Sequence, residues 1–231
     1  MHRVTKLVDL PSMRVGYGSG AGAAGESPAA ALDPSLLRGD PPWRTLFDEW
    51  LAQAVEAAVP EPNAMVLGTV DADGLPATRT VLCKGVDDAG IVFYTGYRSG
   101  KGRALAVHPY ASATFPWIAM ERQVHIRGAV TRVSAEQTRE YWESRPRGSQ
   151  LSAYASAQSE PIASRDDLRA AVADARRRFG DDTPVPVPEE WGGYRIEAQV
   201  VEFWQGRADR LHDRVRAVRT DGRWTVERLQ P

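Results

Sequence analysis

Two short loops, Asp71-Ala-Asp-Gly74 and Asp87-Asp-Ala-Gly90, constrain the fold of this chain more than any other feature, because each separates runs rich in apolar and β-branched residues. Aspartates that bond their own backbone, followed by a glycine, are the chemistry of a tight strand-to-strand turn. They divide residues 64–70, 77–86 and 91–95 into three strands of an expected antiparallel meander. More strands are expected at 111–117 and 122–133, the second long and alternating, and at about 194–204, 215–220 and 224–228. That number suffices to curl a sheet into a barrel, so the expected class is α+β, an antiparallel barrel with flanking helices.

The helices announce themselves by period and caps. Leu46, Phe47, Trp50, Leu51, Ala54, Val55 and Ala58 recur at three-and-four spacing and predict a core-packing helix. A short helix is expected around 101–107, and Ser134-Ala-Glu-Gln137 reads as a capping box opening a helix that Pro146 ends. A charged helix should follow at about 165–179. Residues 183–190 alternate proline with valine and form a stiff connector. Residues 16–40 are mostly Gly, Ala, Ser and Pro, so 1–42 is expected to be a flexible arm and 43–231 a single domain. Within the arm, Gly20-Ala-Gly22-Ala-Ala-Gly25 fits G-x-G-x-x-G, but no strand precedes it and no amphipathic helix follows, so it reads as linker composition.

Composition excludes several classes of function. Lysine and arginine total 29 against 30 acidic residues, so no net field holds nucleic acid or anionic lipid, and any anion site must be local. Cys83 stands alone, and the histidines at 2, 108, 125 and 212 lack zinc spacing. No window approaches the ~20 apolar residues of a membrane span. The expectation is a cytoplasmic protein with no metal, no membrane and no nucleic acid partner.

Five local groupings carry cations, hydroxyls or amides that a phosphate site would use. In Arg79-Thr-Val-Leu-Cys-Lys84 the two cations are five apart, which on one continuous strand sends them to opposite faces. Tyr141, Arg145 and Ser149 are spaced by four, with Ser149 just past Pro146. Ser99-Gly-Lys101-Gly lies where a strand hands over to a helix, and Gln158-Ser159 lies in a polar loop. Arg210-Leu-His212-Asp-Arg214, if extended, sets three cationic or titratable groups on one face. Taken singly, none is decisive: Arg79 to Lys84 is equally compatible with solvated charge flanking a core strand, spacing alone favours a plain surface helix for Tyr141, Arg145 and Ser149, and His212 is a better site candidate than His108 or His125.

Together, in order, these residues resemble the pyridoxine/pyridoxamine 5'-phosphate oxidase family of split-barrel flavoproteins. The resemblance runs from about Trp43 to Pro231, with a fainter echo at Met13-Arg14-Val-Gly-Tyr17. It is carried by Asp-Glu-Trp-Leu at 48–51, Pro62-Asn-Ala-Met65, Arg79 to Lys84, Val92-Phe-Tyr-Thr95, Phe115-Pro-Trp117 and Glu121-Arg-Gln-Val124. Ser144-Arg-Pro-Arg-Gly-Ser-Gln150, Trp191-Gly-Gly-Tyr194, Val201-Glu-Phe-Trp-Gln-Gly206 and Arg210 to Arg214 complete the series.

The resemblance implies a homodimer with FMN at the subunit interface, each site built from both chains. FMN contacts are then expected from Arg79, Thr80, Val81, Leu82, Cys83, Lys84, Tyr94, Thr95, Lys101, Gln123, Gln158, Ser159, Trp204 and Arg214. Lys84, Tyr141, Arg145 and Ser149 are implied to hold the vitamer phosphate. Arg210, Leu211 and His212 are implied to meet its ring, with Arg210 and His212 in the catalytic role, and Arg14 and Tyr17 to close over it. The implied reaction oxidises pyridoxine or pyridoxamine 5'-phosphate to pyridoxal 5'-phosphate while O2 becomes hydrogen peroxide. Gly100 departs from the family, which commonly carries a basic residue there. The fold also serves reductases and non-catalytic binders of flavin or pyridoxal phosphate; the Tyr141/Arg145/Ser149 set combined with Arg210 and His212 favours the oxidase.

Overall fold

The structure, a computed structural model, describes Tyr17 and residues 31–231. The glycine-rich G-x-G-x-x-G stretch and Arg14 lie outside the described residues. Ten strands form one sheet in which every pairing is antiparallel. They are β1 (Ala64–Val70), β2 (Pro76–Leu82), β3 (Gly85–Asp87), β4 (Gly90–Gly96), β5 (Tyr110–Trp117), β6 (Arg122–Arg132), β7 (Trp191–Glu197), β8 (Val200–Gln205), β9 (Asp213–Thr220) and β10 (Arg223–Leu229). Five α-helices flank it: α1 (Arg44–Glu56), α2 (Gly100–Val107), α3 (Ala135–Ser144), α4 (Arg147–Ala155) and α5 (Arg165–Phe179).

The sheet divides at β6. Its first half pairs with β8, its last three residues pair with β7, and β7 continues to β4 and β3. The expected three-strand meander is therefore corrected: β1 and β2 pair, but the chain breaks after Leu82 and β4 turns away to join β7. The single strand expected at 194–204 is likewise two, broken at Ala198-Gln199. Glycine permits the crossing. A Cβ at Gly128 would lie 1.7 Å from the Glu197 carbonyl oxygen, and one at Gly90 (φ +156°) 1.9 Å from that of Ile196.

Alternation along the strands puts Met65, Leu67, Ile91, Phe93, Phe115, Ile126, Ile196 and Phe203 on one fully buried face. The predicted helix stripe covers it: Leu46, Phe47, Trp50 and Ala54 of α1 are buried, with the Phe47 ring 5.1 Å from Phe115 and Trp50 5.3 Å from Phe203. Each such side chain contributes about 1.5–3 kcal/mol by burial. A second, smaller core joins α3, α4 and α5 to the start of β7 through Trp142, Leu151, Phe179, Val185 and Trp191.

Two expectations about the helices and the arm change. Ser134 caps α3 as predicted, accepting from the Gln137 N–H at 3.0 Å. Pro146, however, both follows α3 and caps a helix the sequence reading missed, α4, because Arg147-Gly-Ser-Gln-Leu carries only one buried apolar residue, Leu151. The last part of the expected arm is docked onto the domain. Leu32 and Leu37 are 2% and 6% exposed, and the Leu32 carbonyl accepts from Arg228 at 2.6 Å, so two leucines and a backbone clamp hold a segment whose composition suggested freedom.

Candidate functional site

A cavity of about 240 Å³ is walled by β2, β4, α2, α3 and the loop after α4. Arg79, Thr80, Val81, Leu82, Lys84, Tyr94, Thr95, Lys101, Tyr141, Arg145 and Gln158 line it. Arg79 and Lys84 face the same space, which corrects their expected assignment to opposite faces. The period-two rule fails because the strand ends at Leu82: Asn63 bridges the break, donating to the Cys83 carbonyl at 2.9 Å and accepting the Cys83 N–H at its own carbonyl. Cys83 itself turns inward, its buried thiol on the Gly85 carbonyl, and does not line the cavity; burial pushes its pKa up.

Four cations line this cavity and no carboxylate does, among the described residues. Lys101, 8% exposed, donates to the Thr95 hydroxyl at 3.1 Å. Burial, and then the Arg79 guanidinium, hold the Lys101 pKa below its usual value. Arg79 is depressed by burial too, and donates to Thr69 Oγ1 at 2.7 Å. Thr95 and the Gly96 N–H both donate to Gln158 Oε1 at 2.9 Å, which fixes the amide and leaves its NH2 group toward the cavity's needs. The ion pair Arg103–Glu160 braces that loop from outside, and Arg98–Glu190 ties the turn after β4 to the segment before β7.

An aromatic slab forms the opposite wall. Tyr94 and Tyr141 stack at 3.9 Å between centroids, and Trp191 stacks on Tyr94 at 5.6 Å. Burial, and then the neighbouring Tyr141, raise the Tyr94 pKa. Arg145 lies 5.0 Å over the Trp191 ring, donates to the Ser149 carbonyl at 3.0 Å, and keeps a buried Nε with no partner. Ser149, placed in the first turn of α4, lines a larger adjoining cavity of about 990 Å³ that shares Tyr94, Thr95, Arg145 and Gln158. Ser159 (φ +73°) sits beside Gly100, where a Cβ would meet its Oγ at 3.8 Å.

The remaining candidates gather elsewhere. Gln123, Trp204 and Arg214 are directly paired across β6, β8 and β9. Tyr17 packs edge-on to Trp204 and His212, and Trp204 and His212 lie 4.8 Å apart. Tyr17, Gln123 and Trp204 line a third cavity of about 320 Å³. Arg214 is bound to Glu202 at 2.7 Å, which raises its pKa. The row expected from Arg210, His212 and Arg214 does not form, because the segment is not extended: Asp209 and Arg210 have φ of +53° and +64° in a 3-10 turn, and strand begins only at Asp213. Arg210 and Leu211 are exposed, Leu211 at 71%. The candidates thus fall into two separate groups. Trp191, Asn63 and Asp213 were not among the expected site residues, although the runs Trp191-Gly-Gly-Tyr194, Pro62-Asn-Ala-Met65 and Arg210-Leu-His-Asp-Arg214 contain them.

Comparison with known proteins agrees with this layout. Residues 51–179 match the family model described as pyridoxamine 5'-phosphate oxidase, and 191–231 match the pyridoxine 5'-phosphate oxidase C-terminal dimerisation region. Pyridoxine/pyridoxamine 5'-phosphate oxidases from Mycobacterium sp. (strain KMS) and Rhodococcus jostii (strain RHA1) are 58% and 56% identical, each over 96% of this chain and 96% and 99% of their own lengths. Among solved structures, PhzG from Burkholderia lata 383, in complex with tetrahydrophenazine-1-carboxylic acid, is 34% identical with a TM-score of 0.77, covering 81% of this chain and 91% of that one. A pyridoxamine 5'-phosphate oxidase-related, FMN binding protein from Nostoc punctiforme PCC 73102 shares the fold at 19% identity and a TM-score of 0.67, over 82% of this chain and 97% of that one. With its split antiparallel sheet, its cation-lined cavity and these relatives along nearly its whole length, the chain belongs to the pyridoxine/pyridoxamine 5'-phosphate oxidase family.

Proposed function

We propose that this chain forms a cytoplasmic homodimer that uses FMN to oxidise pyridoxine 5'-phosphate or pyridoxamine 5'-phosphate to pyridoxal 5'-phosphate, with O2 reduced to hydrogen peroxide. The observation that carries the reading is the convergence of Arg79, Lys84, Lys101 and Arg145 on one cavity without a carboxylate among its lining residues. Cations withdrawn from water and left without counter-charge are costly, and an anion that enters restores what hydration supplied. Cofactor and substrate each bring a phosphate. Lys101 and Arg79, whose charged forms burial already disfavours, suit the cofactor's phosphate. Lys84, Tyr141, Arg145 and Ser149 suit the vitamer's, with the buried unpaired Nε of Arg145 as a donor in reserve.

FMN held by Arg79, Lys101 and Gln158 would supply the two-electron acceptor for the hydride leaving the substrate carbon that bears the alcohol or amine, and a route for the electron pair to oxygen. The chain's own part is placement. The Tyr94–Tyr141–Trp191 slab holds Tyr141 and Arg145 in fixed rotamers, so the substrate phosphate is met by groups that need no rearrangement. Gln158 offers its NH2 to the cofactor because its oxygen is committed to Thr95 and Gly96. Thr80, Val81 and Leu82 line the same space, and Ser159 follows Gln158 in its loop. Gln123, Trp204 and Arg214 complete the cofactor site from the second chain, Arg210 and His212 reach the substrate ring, and Arg14 and Tyr17 close over it. The separation of these two groups on one chain and the match to a dimerisation region support a site shared between subunits.

The test is anaerobic. FMN-loaded protein mixed with pyridoxine 5'-phosphate should lose its oxidised flavin absorbance and regain it on admission of air, with pyridoxal 5'-phosphate formed. A flavin that stays oxidised with both phosphorylated vitamers would replace the oxidase by a binder, or by a reductase of another substrate.

A further inference from the structure

The turn between β8 and β9 is closed by an imidazole. The chain leaves β8 at Gln205, passes the buried Gly206, turns at Ala208–Arg210 and enters β9 at Asp213. Asp209 and Arg210 are successive left-handed residues, neither a glycine, a conformation that L side chains resist and that surrounding contacts must hold. Two contacts do so. The Arg207 backbone N–H donates to His212 Nδ1 at 3.0 Å across the turn, and Arg207 Nε donates to Asp213 Oδ2 at 2.9 Å.

Asp213 in turn anchors the turn to the rest of the domain. Its Oδ1 accepts from Arg228 of β10 at 2.7 Å and its Oδ2 from the Leu32 N–H at 3.3 Å. Burial opposes its ionisation, but the bonds from Arg207, Arg228 and Leu32 outweigh that and hold its carboxyl below the usual range. The imidazole also packs against the Trp204 and Tyr17 rings, which touch each other as well.

A backbone N–H donates only to a lone pair, so Nδ1 is bare in this arrangement and the neutral ring carries its hydrogen on Nε2. We infer that Asp213 is a positioning residue: through Arg207 it holds the N–H that locks His212 as the Nε2–H tautomer, making His212 a fixed hydrogen-bond donor to the substrate and not the acceptor of its proton. The group that meets Nε2–H is then a lone pair on a substituent of the substrate ring. The identity of that substrate rests on the proposed function; the tautomer is a property of the chain alone.

The experiment reads the ring nitrogens directly. FMN-loaded protein labelled with 15N-histidine is studied by long-range 1H–15N correlation above about pH 8, where histidine is ordinarily neutral. The His212 signals are assigned by their loss in His212→Asn. The wild type should show a protonated Nε2 and an unprotonated Nδ1. Arg207→Ala breaks the ion pair but spares the backbone N–H and the bonds from Asp213 to Arg228 and Leu32. It should average the two nitrogens and lower kcat/KM about ten-fold at unchanged FMN occupancy. Asp213→Ala should do the same, and Arg207→Ala stands in for it if that variant does not fold. A wild-type Nδ1 that carries the proton, or a tautomer unmoved in Arg207→Ala, overturns the inference. The predicted tautomer in a protein that forms no pyridoxal 5'-phosphate would uphold the lock and refute the function.

Discussion

The cavity between β2 and α3 and the turn between β8 and β9 are both rich in arginine or lysine, yet they treat those charges in opposite ways. In the turn and its surroundings three cations are met by carboxylates: Arg207 and Arg228 share Asp213, and Arg214 holds Glu202. In the cavity, Arg79, Lys101 and Arg145 rest on hydroxyls and carbonyls. The first arrangement stabilises a shape. The second leaves positive charge unsatisfied in a half-buried place, and this is what a binding site for anions requires before the anion arrives. Charge count alone does not separate the two regions; the partner of each charge does.

The largest effect expected from this difference comes from Arg145→Ala. It removes a charge-assisted contact worth about 1.5–3 kcal/mol, so KM for either phosphorylated vitamer should rise by one to two orders of magnitude while kcat changes far less. Steady-state kinetics in which KM is unmoved would mean that the Arg145 charge is structural, like those of the turn. Lys101→Met is expected to act twice and in opposite directions. FMN affinity should fall about ten-fold by titration, while the cofactor-free protein melts at a higher temperature. The sign follows from the depressed pKa: folding disfavours the charged amine, so at neutral pH the ammonium subtracts from stability until an anion meets it. A lower melting temperature would break the contrast.

Asp213→Asn should show the smallest effect and the reverse sign. The folded-state pKa of Asp213 lies below its ordinary value, so its charge adds stability that is complete well above about pH 3.9 and is lost as pH falls through the folded-state value. Urea unfolding should find the variant less stable at pH 7 and the gap narrowing below about pH 4. A gap independent of pH would show that the charge of Asp213 is not what holds the turn.

Local chemistry made much of this molecule legible in advance. The stripe from Leu46 to Ala54, the Ser134 cap, the turn glycines and the alternation in β5 and β6 each act over a few residues, and the elements they predict are present. At three places where the reading failed, a partner outside the run being read had intervened. Asn63 cuts the strand at Cys83 and brings Lys84 to the side of Arg79. Arg228 and the sheet capture Leu32 from a segment whose composition promised no structure. His212 folds back onto Arg207 and prevents the extended row that spacing suggested.

The sequence by itself determined the fold class and the family and named the candidates for the site, because those are carried by period, by turn chemistry and by the order of residue types along the chain. Tertiary structure alone decided which cations stand without a carboxylate, which ring nitrogen of His212 faces the Arg207 N–H, and that the candidates fall into two separate groups on one chain. The reason is physical: a residue's type is local, whereas its charge compensation, its hydrogen-bond partner and the depth of its burial depend on what the fold places against it.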